Sequence, residues 1–379
     1  MRIAFVTDTY EDGIAGGAVS AVRFVEALRR HHDVTVLATG APAPGKVVLP
    51  GFRVPMHAMR ANRFTFGWPS RGIMRDVFAR ADVVHVNFPF PLGFGAVRLA
   101  RRMGVPVVAA FHVQPENVLM NIGISWRPAA DWMYRYWVKG FFELADAVIC
   151  PSEFGAERLR ACGLTRPTYV VSNGTPAGRT RAALRTADRR SPRFLILAVG
   201  RLAREKRQDV IIDAVARSRH RDRIELVIAG AGPLREQLEQ RARARGLRVE
   251  FGYVSGERLA QLYADAHLFV HASEVELEGM AVLEAMGAGL PALLADAPDS
   301  ASRAFAAGPE FRFRAGDPAD LAAHIDALVE NPGLLGSGAR CSIERARQHD
   351  FAHSTRSLEQ VYASVIRRPP PDRRERGVA

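Results

Sequence analysis

Residues 272–296 read ASEVELEGMAVLEAMGAGLPALLAD, and the way this stretch divides decides the fold. Its end, Pro291 to Asp296, is a short apolar run closed by an acid. Another such run, Leu268 to Ser273, leads into it. Between them lies a segment rich in helix formers, preceded by Gly279. Strand, loop, helix and strand within about thirty residues make a βαβ unit, with parallel strands and a covering helix. The loop is acidic: Glu274, Glu276 and Glu278 crowd it, and Glu284 follows, in a chain whose formal net charge is +12.

Outward from this unit the same alternation recurs. Upstream, RFLILAVG (193–200), RIELVIAG (223–230) and VEFGYVS (249–255) read as strands, each followed by a helix-like segment. Further upstream, RIAFVTDTY (2–10), DVTVLAT (33–39), DVVHVNF (82–88), VPVVAAFH (105–112) and ADAVICPSE (145–153) do the same. After the first strand, GIAGGAV (13–19) opens a helix with Val19, Val22, Phe24, Val25 and Leu28 on its apolar side. Strands alternating with helices imply an α/β protein of doubly wound parallel sheets. Residues 172–193 break the texture with a polar, basic stretch. The boundaries expected are therefore one domain over 1–174, a linker over 175–192, a second domain over 193–350, a final helix over 351–368 and a disordered basic tail over 369–379.

The totals agree with two domains. A chain of 379 residues exceeds the size at which one core usually stops growing. Apolar residues at 48% and charged residues at 24% fit a globular protein. Cys150, Cys162 and Cys341 have neither metal-ligand spacing nor the number a disulfide framework needs, so a cytoplasmic location is expected. Met1 and Arg2 run directly into a strand-like segment rather than a signal peptide, and no run approaches the ~18 apolar residues of a membrane span. A pI near 10.4 suits nucleic acid, an anionic membrane or phosphorylated substrates. No nucleic-acid motif is present and the cations are spread along the chain, so nucleic acid is not expected as a partner.

Ligands of doubly wound sheets bind at the carboxyl ends of the strands, and the distinctive residues cluster there. Gly16 and Gly17 follow the first strand and admit close backbone approach, or serve only the turn. Gly200, Arg201 and Lys206 follow the strand at 193–200. Two cations there suit a diphosphate, or form a solvated loop. Gly230, Gly232 and Pro233 make a tight strand-to-helix loop. A helix starting near Gly279 offers the amides of Gly279, Met280 and Ala281 to a phosphate, with Glu276 and Glu284 as acceptors for sugar hydroxyls. Glu274 and Glu278 read as solvent-facing acids. His112, past the strand at 105–112, is either structural or chemical. Glu116 and Asn117 follow it, suited to an acceptor hydroxyl or to capping a helix.

Together these residues resemble the family 4 retaining glycosyltransferases of GT-B fold, in which two Rossmann-like domains face a central cleft. The resemblance spans nearly the whole chain. Glu276, Gly279 and Glu284 match the family's glutamate pair with seven residues between. Gly200, Arg201 and Lys206 match its diphosphate pair, Gly230 to Leu234 its Gly-x-Gly-Pro-Leu loop, Gly16 and Gly17 its N-terminal loop, and His112 its donor-sugar histidine. The resemblance implies acceptor binding by the first domain, nucleotide-sugar binding by the second, and a last helix that returns to the first. TDTY (7–10), ADAVICPSEF (145–154) and HASEVELEGMAVLEAM (271–286) further resemble bacterial diacylglycerol glucosyltransferases, whereas VQPENVLMNIGISW (113–126) departs from them.

The activity so implied is transfer of a hexosyl unit from UDP-glucose or GDP-mannose to a hydroxyl, by front-face displacement with His112, Arg201, Lys206 and Glu276 at the reaction centre. No Asp-x-Asp pair is placed for a metal, so neither metal nor cofactor is expected. The acceptor is a lipid at the inner membrane face or a soluble small molecule or glycan. Trp126, Trp132, Tyr134, Tyr136, Trp137, Phe141 and Phe142, interleaved with Arg127, Arg135 and Lys139, suit an anionic bilayer interface or a buried helix with snorkelling cations. A sugar-nucleotide epimerase of the same architecture is the rival; it needs no acceptor.

Overall fold

Parallel pairing builds two separate sheets from the two halves of the chain. A computed structural model describes residues 1–10, 16–54, 64–175 and 193–367. The N-terminal strands are β1 (Arg2–Val6), β2 (Asp33–Ala38), β3 (Lys46–Val48), β6 (Val83–Val86), β7 (Val107–Ala110), β8 (Ala147–Cys150) and β9 (Thr168–Val170), in spatial order β3-β2-β1-β6-β7-β8-β9. A hairpin, β4 (Gly51–Phe52) and β5 (Phe66–Gly67), stands apart from that sheet. The C-terminal strands are β10 (Phe194–Val199), β11 (Ile224–Ala229), β12 (Val249–Gly252), β13 (Leu268–His271), β14 (Ala292–Asp296) and β15 (Arg312–Arg314), in order β12-β11-β10-β13-β14-β15. Central strands such as β6 and β13 are buried along their whole length, as sheets covered on both faces require.

The N-terminal helices are α1 (Gly16–Leu28), α2 (Arg71–Phe78), α3 (Pro91–Met103), α4 (Pro115–Asn121), α5 (Arg127–Gly140) and α6 (Glu153–Ala161). The C-terminal ones are α7 (Gln208–Arg217), α8 (Arg235–Ala244), α9 (Gly256–Asp265), α10 (Met280–Gly287), α11 (Pro318–Glu330) and α12 (Pro332–Gln348), followed by α13 (Phe351–Ile366). Leu358, Val361, Tyr362 and Val365 of α13 repeat at helical spacing and share a core with Ile3, Phe5, Val83 and Val108 of the N-terminal sheet. The last helix therefore completes the first domain. Thr175 pairs with Asp350, which joins the chain's two passages between the halves. Residues 176–192 of the expected linker and the tail at 369–379 lie outside the described residues.

The alternation anticipates the inner strands and the edge strand β12, and misses the edges β3, β9 and β15. β3 and β15 are three residues long, too short to show a period. The segment after His112 is a helix from Pro115 rather than a loop, so Glu116 and Asn117 lie in its first turn.

Candidate active site

Both sheets have the strand order that reverses beside the first strand, between β1 and β6 and between β10 and β13. Loops leaving those strands diverge and open a crevice. The two crevices meet in one cleft of about 550 Å³. Gly16, Gly17, His112, Asn117, Gly200, Arg201, Lys206, Gly230, Glu276, Gly279, Met280, Ala281 and Glu284 all line it. Gly232, Pro233 and Glu116 do not.

On the C-terminal side, backbone approach shapes the wall. A side chain at Gly230 would place its Cβ 2.0 Å from the Gly200 carbonyl oxygen, so the loops after β10 and β11 touch main chain to main chain. Gly232 belongs to that same seam: Leu202 donates to the Ala231 carbonyl and Leu234 to that of Leu202, which sets Gly232 and Pro233 behind the wall. Both are expected from sequence on the donor-contacting surface; neither lines the cleft. Gly279 caps α10 at φ 98°, a left-handed conformation that favours glycine. Val282 and Leu283 donate to its carbonyl. The amides of Met280 and Ala281 carry no bond among the described residues, so the positive end of α10 faces the cleft.

Every cation of this wall already faces a carboxylate. Lys206 bonds Glu276, and His271 Nε2 donates to the same carboxylate at 2.9 Å. Burial opposes ionisation of Glu276, but Lys206 and His271 outweigh it and hold the carboxyl well below its usual range. Arg201 bonds Glu205, which is buried beneath it. A guanidinium has five donors and an ammonium three, so both cations keep donors for a phosphate. Glu284 is 7% exposed; Arg23 Nη2 donates to it at 2.5 Å and Tyr263 Oη at 3.3 Å.

On the N-terminal side, a Cβ on Gly17 would lie 2.8 Å from the Phe88 ring. His112 stands beside it, and burial lowers its imidazole to about 4. At pH 7 it is neutral and able to hydrogen bond a sugar hydroxyl. Glu116 has partners of its own. Its carboxylate accepts from Arg158 at 2.8 Å and from Tyr134 at 3.1 Å, and Arg158 continues to Asp299 of the other half at 3.2 Å. The acid expected to hold an acceptor hydroxyl is thus engaged in a contact between the halves.

The acidic loop itself is gripped from the N-terminal half. Ser152 bonds the Leu277 carbonyl, and Gln114 Nε2 donates to the Asp299 carbonyl at 3.1 Å. Glu278, read from sequence as solvent-facing, is 2% exposed. It accepts from Ser172 and from Asn173 N and Nδ2 at 2.9 and 2.7 Å. Its position two residues after Glu276 gave no hint of this, because the loop bends back between the domains. Glu274 is half-buried and bonds Arg207. Burial raises Glu278 to about 7 against the pull of those donors. An acid whose folded pKa is raised makes the fold bind extra protons between roughly pH 4.5 and 7, so it costs stability as pH rises through that window. Glu278→Gln, whose amide fits the same partners, is expected to remove on the order of 2–3 kcal/mol of that decline. Urea unfolding of both proteins from pH 5 to 8 checks this; parallel stability curves would refute it.

Aromatic rings lead from the cleft to the surface. Phe64, Phe88 and Phe90 line the cleft. Phe88 and Phe90 stack at 5.7 Å, Phe90 meets Phe64 at 5.5 Å, Phe64 meets Phe66 at 4.9 Å, Phe66 meets Phe52 at 5.6 Å, and Phe52 meets Trp68 at 5.8 Å. Trp68 is 57% exposed. The aromatic stretch of α5 divides between both of its readings: Tyr134, Trp137, Phe141 and Phe142 are core, whereas Trp126, Trp132 and Tyr136 are at least half exposed. Trp132 stacks on Tyr136 and Tyr136 on Phe94, with Arg98 over that last ring.

Comparison with known proteins follows the same lines. The family model described as Glycosyltransferase Family 4 matches residues 14–179, and the one described as Glycosyl transferases group 1 matches residues 182–349. The GDP-mannose-dependent alpha-mannosyltransferase of Mycolicibacterium smegmatis is 30% identical over 98% of this chain and 94% of its own length. That of Mycobacterium tuberculosis is 31% identical over 78% of this chain and 79% of its own. The alpha-monoglucosyldiacylglycerol synthase of Streptococcus pneumoniae is 26% identical over 77% and 70%. Among solved structures, Anabaena HepE in complex with UDP and glucose superposes with a TM-score of 0.72 at 19% identity, covering 96% of this chain and all of its own, a likeness of fold.

Proposed function

Because the chain belongs to glycosyltransferase family 4 and is a nucleotide-sugar hexosyltransferase of GT-B fold, we propose that it transfers its hexosyl unit, with retained configuration, to the hydroxyl of a lipid such as diacylglycerol at an anionic membrane surface. The observation that carries the lipid is the run of rings from Phe88 to Trp68. It supplies an apolar, aromatic surface from the cleft to the exposed Trp68, and Trp126, Trp132 and Tyr136 of α5 add further exposed rings of the kind that seat at a bilayer interface. No helix among the described residues is long and apolar enough to cross a membrane, so the contact proposed is peripheral. GDP-mannose is the donor favoured, from the dependence named for the two mycobacterial relatives, with UDP-glucose as the alternative.

In this reading the diphosphate lies against the head of α10, with Arg201 and Lys206 beside it. Glu276 takes hydroxyls of the transferred sugar and Glu284 those of the ribose. Neutral His112 bonds the sugar from the opposite wall. The acceptor hydroxyl attacks on the face that the diphosphate leaves, and the departing phosphate oxygen takes its proton. Charge grows on that oxygen, so cations and amides already aimed there stabilise the transition state more than the ground state.

The test has two arms. A thermal-shift panel of nucleotide sugars, followed by mass spectrometry of products formed with diacylglycerol, is expected to show one donor and one new glycolipid. In flotation at low salt, the protein should rise with phosphatidylglycerol-containing vesicles and not with pure phosphatidylcholine. The triple change Trp126→Ala, Trp132→Ala and Tyr136→Ala should cut binding about tenfold or more. A wild-type protein that stays at the bottom of the gradient removes the membrane reading, and a soluble acceptor then replaces the lipid.

A further inference from the structure

α1 and α10 face each other across the cleft. A Cβ on Gly16, at the head of α1, would lie 3.7 Å from Met280 Sδ at the head of α10. Four residues on, Ser20 Oγ donates to Asn173 Oδ1 at 2.5 Å, and Asn173 in turn holds Glu278. Three residues further, Arg23 reaches Glu284. Positions 16, 20 and 23 share one face of a helix. That face of α1, away from the core made by Phe24, Val25 and Leu28, thus meets the C-terminal half directly at Gly16 and Arg23 and through Asn173 at Ser20. Among the described residues lining the cleft, Arg23 is the one arginine or lysine supplied by the N-terminal half.

The state of its guanidinium is informative. Nη2 is committed to Glu284, while Nη1 is buried and has no hydrogen-bond partner. A buried donor left without a partner is costly, and a guanidinium can be satisfied only by an acceptor. The cleft beside it is where the reading above seats a nucleoside diphosphate. We propose that Arg23 is a donor-positioning residue supplied by the acceptor half. It holds the Glu284 carboxylate in place for the ribose and turns Nη1 to a phosphate oxygen of the same nucleotide. This deepens the reading of Glu284 given above and rests on it. Its consequence is that nucleotide binding tightens the contact between the halves, because one ligand is held by side chains from both.

Isothermal titration of GDP and of UDP into wild type, Arg23→Met, Arg23→Lys, Glu284→Ala and the double variant Arg23→Met/Glu284→Ala tests it. Arg23→Met should weaken binding of the preferred nucleotide about tenfold and, by leaving the buried Glu284 carboxylate without its cation, lower the melting temperature, a loss that the double variant relieves. Arg23→Lys, which keeps the charge without the fork, should recover part of the loss. The double variant should lose more than Glu284→Ala alone but less than the sum of the two single losses, since Arg23 acts partly on the phosphate and partly through that carboxylate. Should Arg23→Met bind as tightly as wild type or more so, the ion pair is a strap that the nucleotide displaces and the proposal is wrong; full additivity in the double variant rejects it equally. Failure of the functional reading has a separate signature, wild type binding neither nucleotide, and that outcome overturns the inference as well.

Discussion

Arg201→Ala is expected to lower kcat/KM about a hundred- to a thousandfold, the loss typical of removing one donor that stabilises developing oxyanion charge. The loss should fall mainly on kcat, because the phosphate oxygen gains its charge as the glycosidic bond breaks. A second effect must be separated from this one. Arg201 covers the buried Glu205, one of whose carboxylate oxygens already has no partner, and removing the cation leaves that acid charged and alone. Arg201→Ala/Glu205→Gln removes the stranded charge. It should restore most of the lost stability in urea and little of the lost turnover. Near-normal turnover in a folded Arg201→Ala protein would displace Arg201 from the reaction centre.

Lys206→Met should damage both folding and activity. Lys206 and Glu276 are a mostly buried pair, and removing one member of such a pair typically costs about 3–5 kcal/mol because the other stays charged in a poor medium. The pH dependence gives the pair a sign. In the wild type Glu276 is depressed, so its stabilisation is present above roughly pH 4.5 and fades only as pH falls through its low folded value. In Lys206→Met only His271 opposes burial of the carboxyl, so its pKa should rise, and the variant should be more stable near pH 5 than near pH 8. Turnover should drop at least about a hundredfold at every pH. Adding Glu276→Gln should recover stability without activity. Equal unfolding midpoints for Lys206→Met and wild type between pH 5 and 8 would show that the pair contributes nothing to the fold.

Most of the cleft was legible because its residues follow strands in short segments with glycine beside them. Gly16, Gly200, Gly230, Gly279 and the acids at Glu276 and Glu284 could be placed from the ends of apolar runs alone. What stayed hidden depended on the opposite half of the molecule. Arg23 sits seven residues into a helix and reads as an ordinary solvent-facing cation. Glu278 reads as one more surface acid. Glu116 looks available until Arg158 arrives from a helix more than thirty residues later. Local pattern carries the period of a strand and the start of a helix. It does not carry which side chain from one sheet edge meets which from the other, and the interdomain grip on the acidic loop is built from such meetings.

The return of α13 has a consequence for how the molecule comes into being. A ribosome releases the N-terminal half first, yet that half lacks Leu358, Val361 and Tyr362 until the whole C-terminal half has been made. The C-terminal half, contiguous in the chain, is the one able to complete its own core on the way out. Synthesis and maturation therefore run in opposite orders, and the early-made half waits, open along one flank, for the last helix to seal it.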